Sequence, residues 1–491
     1  MTAVFVVHLC FLFTILPVVF AHAGEPSPGP GAPPPAAPAE PPTLPAKPEE
    51  EPPVAVEPAP PPVALPGAPE PEDILDFQAP KLTAPPDAPG LVDRFQRALD
   101  LVQPGQLLFD LTVEGVYESN AFNTSGGPRD DFAVMIVPGV AMEQRAKNAS
   151  LSLRYSPRIL RYIEFSELDQ VNHTLRFAGN WDPTPGVRLS LVNSLLITER
   201  RAEEASPLGI SAPGTRRTTR NAVTPGAEFR LGPQDDLGLA YTNTFVEQEA
   251  GENTMVHGGR IGWRHRLPRG GIGLDYTPAY VDRESSGNAL NHAGTLRTTY
   301  RVSPRGELLF TVTGSYVDEE EGEDSAFAGG EVGINHQFTP NLRARVTGGA
   351  QVFGLAEGDP KPRFSSDSSL VWTFPRGSLT LGFVQRFENT FTTVDDVGTV
   401  LDTRGSGAFS YVVTPRLRFS VRGSYGRVEF EEQDRTDLVG RAAVDIRYQL
   451  WQSLFLTAGY TFFDRNSDTD ANDLTDHRVF IGLSFALSTP I

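Results

Sequence analysis

Arginines recur on one register of a two-residue period through much of this 491-residue sequence: Arg154, Arg158, Arg176, Arg188, Arg260, Arg264, Arg297, Arg301, Arg343, Arg345, Arg418, Arg422, Arg441 and Arg447. Apolar side chains hold the other register, as where Leu417, Phe419, Val421 and Tyr425 alternate with Arg418, Ser420, Arg422 and Ser424. A guanidinium is always charged and presents its donors as a fork, so a row of them on one face offers charge-assisted partners to carboxylates and sulfates. Glu228, Asp275, Glu331 and Asp445 share that register, so part of the row is expected to be ion-paired.

Other chemistry is thinly represented. His173, His257, His265, His292, His336 and His477 are scattered, with no His-x-x-x-His zinc spacing, and no Gly-x-Ser-x-Gly elbow occurs. The only cysteine is Cys10. The acidic run 464–470 opens like a calcium loop, but Thr469 and Thr475 stand where that loop requires glycine and glutamate. No catalytic site, resident metal or cofactor is expected. A net charge of -19 argues against nucleic acid as a partner.

The elements that carry the arginines read as strands. Leu379, Leu381 and Phe383 alternate with Ser378, Thr380 and Gly382, and Leu454, Leu456, Ala458, Tyr460 and Phe462 follow the same rule. Two kinds of connection separate the strands and themselves alternate. Short ones carry proline and often arginine, as at 182–186, 267–270, 303–306, 339–341, 374–377 and 414–416. Long ones are acidic, as at 318–324, 429–434 and 464–476. Short turns at one end and long loops at the other are what a transmembrane β-barrel shows, periplasmic and external respectively.

A mean hydropathy of -0.24 does not oppose this, because every second residue of such a strand faces a polar interior. A guanidinium near the bilayer midplane costs roughly 2–4 kcal/mol, which puts the arginine register inside and the apolar register against lipid. The expected fold is therefore all-β: an antiparallel up-and-down barrel over 106–491 with about 18–20 strands. Tyr155, Trp181, Trp263, Trp372, Phe374 and Trp451 near segment ends would form the interfacial girdles.

Ahead of the barrel, residues 1–23 read as a signal peptide, with an apolar run ending in Ala21-His22-Ala23 and cleavage after Ala23. Residues 24–90 are rich in Pro, Ala and Glu and cannot bury enough apolar surface to offset the entropy of ordering, so a disordered periplasmic linker is expected. Residues 91–104 read as one short amphipathic helix stopped by Pro104-Gly105.

The last segment, 478–487, resembles the C-terminal strand that outer-membrane barrels present to their assembly machinery, with Gly482, Phe485 and Leu487 in the expected relation. It departs from that pattern at Phe480, where a polar residue is usual, and in continuing to Ile491. Residues 111–122, which contain Tyr117-Glu118-Ser119-Asn120, and Val137-Pro138-Gly139-Val140 resemble the β-barrel porins associated with exopolysaccharide and capsule biosynthesis. That resemblance implies a conduit for a secreted, anionic polysaccharide, working with periplasmic export proteins. The residues equally allow an anion-preferring diffusion porin, or a structural barrel whose linker engages peptidoglycan. On every reading the location is the outer membrane, and its lipid and the barrel-assembly machinery are partners.

Overall fold

In a computed structural model of the chain, residues 105–490 are described, except 147, 200–216, 250–252, 285–286, 356–358, 391–397 and 434. The expected signal peptide with Ala21 and Ala23, the linker and the short helix lie outside the described residues, as does most of the loop 200–220.

The described residues form one antiparallel sheet of 20 strands, which is the upper value expected from the turns. In chain order these are β1 (Gln106–Glu118), β2 (Asp131–Ala146), β3 (Ala149–Tyr162), β4 (Gln170–Thr184), β5 (Val187–Thr198), β6 (Thr218–Arg230), β7 (Asp235–Gln248), β8 (Thr254–Leu267), β9 (Gly270–Arg283), β10 (Ala289–Ser303), β11 (Gly306–Glu319), β12 (Ser325–Thr339), β13 (Leu342–Leu355), β14 (Lys361–Phe374), β15 (Gly377–Asn389), β16 (Thr399–Thr414), β17 (Leu417–Phe430), β18 (Arg435–Trp451), β19 (Leu454–Ser467) and β20 (Leu474–Pro490). Each strand pairs with the next, and β20 returns to β1 in register from Gln106↔Pro490 to Glu118↔Arg478. Closure leaves no row of unpaired backbone groups at a sheet edge, the condition for strands to cross hydrocarbon.

At the end where β1 starts and β20 finishes, the connections are two residues long, as at 268–269, 304–305 and 375–376, except for 231–234. Proline sets φ for such turns. In several of these hairpins the strand shifts register just before the turn, as between Arg301 and Ser303 or Val412 and Thr414, which supplies the local twist a tight reversal needs. At the opposite end the connections are longer, from 431–434 up to 199–217. The two ends thus differ as the periplasmic and external ends of an outer-membrane barrel do.

Strand faces follow the two-residue period. In β1, Phe109, Leu111 and Val113 are 40–46% exposed, whereas Asp110, Thr112 and Glu114 are buried on the inner face. The outward apolar row continues around the wall through Ile261, Phe310, Val332, Leu381, Ile481 and Leu483.

Several prolines within strands coincide with gaps in the ladder, because they have no N–H to donate. Pairing of β2 with β3 stops between Ile136↔Ile159 and Val140↔Tyr155, around Pro138 and Pro157. Similar gaps fall at Pro225 and Pro278. A gap between β13 and β14 has no proline and is bridged by hydroxyls: Thr347 Oγ1 donates to the Asp367 carbonyl at 3.0 Å, and Ser366 Oγ donates to the Thr347 carbonyl at 2.7 Å.

Candidate functional site

The inner wall gathers the arginine row. Arg154 lies 3.4 Å from Asp110, Arg260 2.7 Å from Asp275, Arg422 3.3 Å from Asp445 and Arg345 3.7 Å from Asp367. Nearer the short turns, Arg188 lies 2.8 Å from Asp182, and Arg343 Nε donates to Asn335 at 2.7 Å. The Arg447 guanidinium stacks 3.8 Å above the Phe455 ring, and Arg441 lies 5.4 Å from the Phe463 ring. Arg158 is buried, Arg264 and Arg301 are exposed, and Arg176, Arg297 and Arg418 are half-buried on the same register. Of the acids on that register, Asp275 and Asp445 hold arginines, while Glu331 lies 2.9 Å from Thr347 Oγ1 and accepts from Ser365 Oγ. Glu228 stands opposite Arg188 in the ladder.

Arginines also face one another in the ladder. Arg154 stands directly opposite Arg176 in β3–β4, and Arg418 directly opposite Arg447 in β17–β18. Like charges placed opposite each other disfavour a sheet, so an anion passing beside either pair is favoured.

The long-loop mouth is braced on two sides. On one, Glu118 is fully buried and takes Arg478 Nε at 2.7 Å and the Tyr162 hydroxyl at 2.6 Å. Asn120, 1% exposed, accepts from the Thr124 N–H at 3.1 Å and donates through Nδ2 to the Thr124 carbonyl at 2.9 Å, while its own N–H donates to Asp476 at 3.2 Å. Val116, Met135, Leu160, Tyr162 and Phe480 form an apolar cluster there, with Phe122 and Phe165 packed against it. The Tyr-Glu-x-Asn segment thus ties β1 to β20 and β3. Its work is to hold the closing hairpins together.

On the other side, Phe327, Phe353, Phe387 and Leu401 cluster together. Asn389 Nδ2 donates to Ser315 Oγ at 2.7 Å, and Lys361 lies 2.8 Å from Glu431. These contacts join strands that are not neighbours in the sheet, so this sector of the rim is drawn together.

In the last strand, Gly482 faces inward beside Glu114, and Phe485 and Leu487 face outward at 43% and 50% exposure. Phe480, the departure from the assembly pattern, also faces inward. A β-carbon on Gly459 would overlap its ring, so the glycine makes the space that an aromatic fills where a polar side chain is usual.

The girdles differ from expectation in one respect. Trp181, Trp372, Phe374 and Trp451 stand near the short-turn end, whereas Tyr155 lies in the middle of β3. It leans toward the long-loop end, where its hydroxyl meets His173 Nδ1 at 2.9 Å. The same geometry recurs in Tyr241–His257 and Tyr276–His292, both at 2.7 Å, and in Tyr460–His477 at 2.8 Å. In each hairpin the histidine stands opposite the residue two beyond the tyrosine: His173↔Pro157, His257↔Asn243, His292↔Pro278 and His477↔Phe462. No local motif marks these pairs, because a loop separates the partners. Only a tyrosine in an ascending strand and a histidine in the next, matched in register, would have revealed them.

Residues 293–487 match the model of a family described as Putative beta-barrel porin 2. The match spans most of β10 through β20 and does not include the Tyr117–Asn120 segment. No curated protein compared with the chain is similar in sequence. Among solved structures, OccAB3 of Acinetobacter baumannii is 11% identical at a TM-score of 0.38, over 78% of this chain and 99% of that one. OccK2 of Pseudomonas aeruginosa, solved with glucuronate, is 10% identical at 0.41, over 79% and 100%. The siderophore receptor PirA of Pseudomonas aeruginosa is 9% identical at 0.47, over 79% and 81%.

Proposed function

We propose that this porin-like barrel is an outer-membrane channel for anionic, polar solutes, with the arginine rows of its inner wall as the conducting surface. The observation that carries the reading is the pair of directly opposed arginines, Arg154 with Arg176 and Arg418 with Arg447. Basic side chains along a pore lower the barrier to anions and raise it to cations. Barrels of about 16–18 strands already leave an aqueous passage, and this wall has 20. The test is conductance of the full chain in planar bilayers. Stable, anion-selective current is expected, and cation selectivity would overturn the reading.

A narrower form of the same reading makes the solute a secreted anionic polysaccharide, handed over by periplasmic export proteins. The resemblance of residues 111–140 supports it, as does the spread of the charges along the wall. Arg343 and Arg418 are second in their strands, whereas Arg176 and Arg297 lie near mid-strand. Graded contacts of this kind suit a polymer that must slide without binding tightly. Deleting the protein should then abolish surface polysaccharide and spare small-solute uptake. The opposite phenotype would leave the diffusion porin in its place.

A further inference from the structure

We propose that the four tyrosine–histidine pairs are docking sites for lipid headgroups that end in a phosphomonoester, at the long-loop rim of the barrel. The inference rests on the membrane placement of the wall and on no choice of solute. Both members of each pair lie on the outward register, beside exposed apolar residues such as Val171, Ile261, Leu274 and Val479. Each histidine is the fourth residue of its descending strand: His173 in β4, His257 in β8, His292 in β10 and His477 in β20. Four imidazoles are therefore held at one level near the long loops.

The opposite end of the same face carries Trp181, Trp372 and Trp451, at 47–69% exposure, and described histidines pair with tyrosine in this way only near the long loops. An indole has one weak N–H on a large apolar body, which suits the interface generally. An imidazole is a different choice. When a tyrosine hydroxyl donates to Nδ1, the proton of the neutral ring sits on Nε2, which becomes a donor on the far side from the tyrosine. The rings also stack, with centroids 6.1–6.3 Å apart and planes within 26°, so the donor is held in direction as well as in tautomer. At the level where acyl chains give way to headgroups, phosphate oxygens are the acceptors that such a donor meets; a terminal phosphomonoester presents more of them, and more charge, than a choline-capped diester, and a protonated ring would bind it more strongly still.

Mutual satisfaction of tyrosine and histidine alone would give a girdle indifferent to headgroup chemistry. The full chain, reconstituted in phosphatidylcholine nanodiscs containing phosphatidic acid, distinguishes the two by native mass spectrometry of the lipids retained after partial delipidation. The wild type should retain phosphatidic acid in preference to phosphatidylcholine. The H173F/H257F/H292F/H477F variant should lose that preference several-fold, and the corresponding Tyr→Phe variant should lose part of it, with channel conductance unchanged in both. Should the quadruple variant fail to fold, the single variants H173F and H477F are read instead, each expected to release a share of the bound lipid. Equal retention by wild type and histidine variants would overturn the proposal. So would displacement of the lipid by inorganic phosphate at modest concentration, which would indicate a site for the free anion instead. Because conductance is read in parallel, loss of the lipid preference and loss of channel function are separable.

Discussion

Gly482 of the last strand lies so close to Glu114 of the first that a β-carbon at Gly482 would overlap the Glu114 side chain and the Val113 carbonyl oxygen. The two residues are direct partners in the ladder that closes the barrel. Replacing this glycine therefore acts on closure itself. Gly482→Val should push β20 away from β1 at mid-height, at a cost of about 1–3 kcal/mol or more from overpacking. The folded, fast-migrating species in unheated gel electrophoresis is expected to diminish. Gly354→Ala, where a β-carbon meets nothing within 4 Å, is the control and should migrate as wild type.

A second prediction concerns Glu118, whose carboxylate is held by Arg478 and Tyr162 with no exposed surface of its own. Removing one member of a buried ion pair strands the other, which typically costs roughly 3–5 kcal/mol. Glu118→Ala should lower the urea midpoint of the refolded barrel strongly. Glu118→Gln keeps an acceptor for the Tyr162 hydroxyl and should lose less. Equal losses would mean that the charge contributes most and the Tyr162 hydrogen bond little.

Much of the architecture was legible because its signals are local. Alternation of Leu417, Phe419 and Val421 with Arg418, Ser420 and Arg422 needs no knowledge of distant residues, and the turns at Pro304, Pro375 and Pro415 mark their own positions. Pro138 makes the strand count hard to read for a physical reason: it sits inside β2, where the ladder to β3 opens around it while the pairing of β2 with β1 continues through Leu111↔Pro138. The tyrosine–histidine pairs were hidden because their partners are 16–18 residues apart across loops of unequal length. Phe480 looked anomalous until Gly459 placed a space behind it.

The inner arginines predict selectivity. Arg154→Gln with Arg176→Gln, and Arg418→Gln with Arg447→Gln, remove both opposed pairs while keeping hydrogen-bonding length. The reversal potential in a salt gradient should move toward cations in each double variant, and further in the quadruple one. Reversal potentials that stay at the wild-type value would remove the inner arginines from the conduction path.

The rim contacts predict behaviour in time. Lys361 lies 2.8 Å from Glu431, and Arg363 lies 3.8 Å from both Glu429 and Glu431, joining the start of β14 to the end of β17 and its loop. The cations are 46% and 36% exposed, but the Glu431 side chain is only 4% exposed, so Lys361→Met with Arg363→Met strands that carboxylate and should lower thermal stability by more than the about 0–1 kcal/mol of a fully exposed pair. What they restrain is the rim sector that also carries the Phe327, Phe353, Phe387 and Leu401 cluster. With the ion pairs gone, that sector should fluctuate, and single-channel records should show more frequent transitions between conductance levels. High salt should act in the same direction on the wild type but more weakly, because pairs with a buried member are screened less than exposed ones, and should add little to the variant. A variant as quiet as the wild type at every salt concentration would mean that the apolar cluster alone holds the rim.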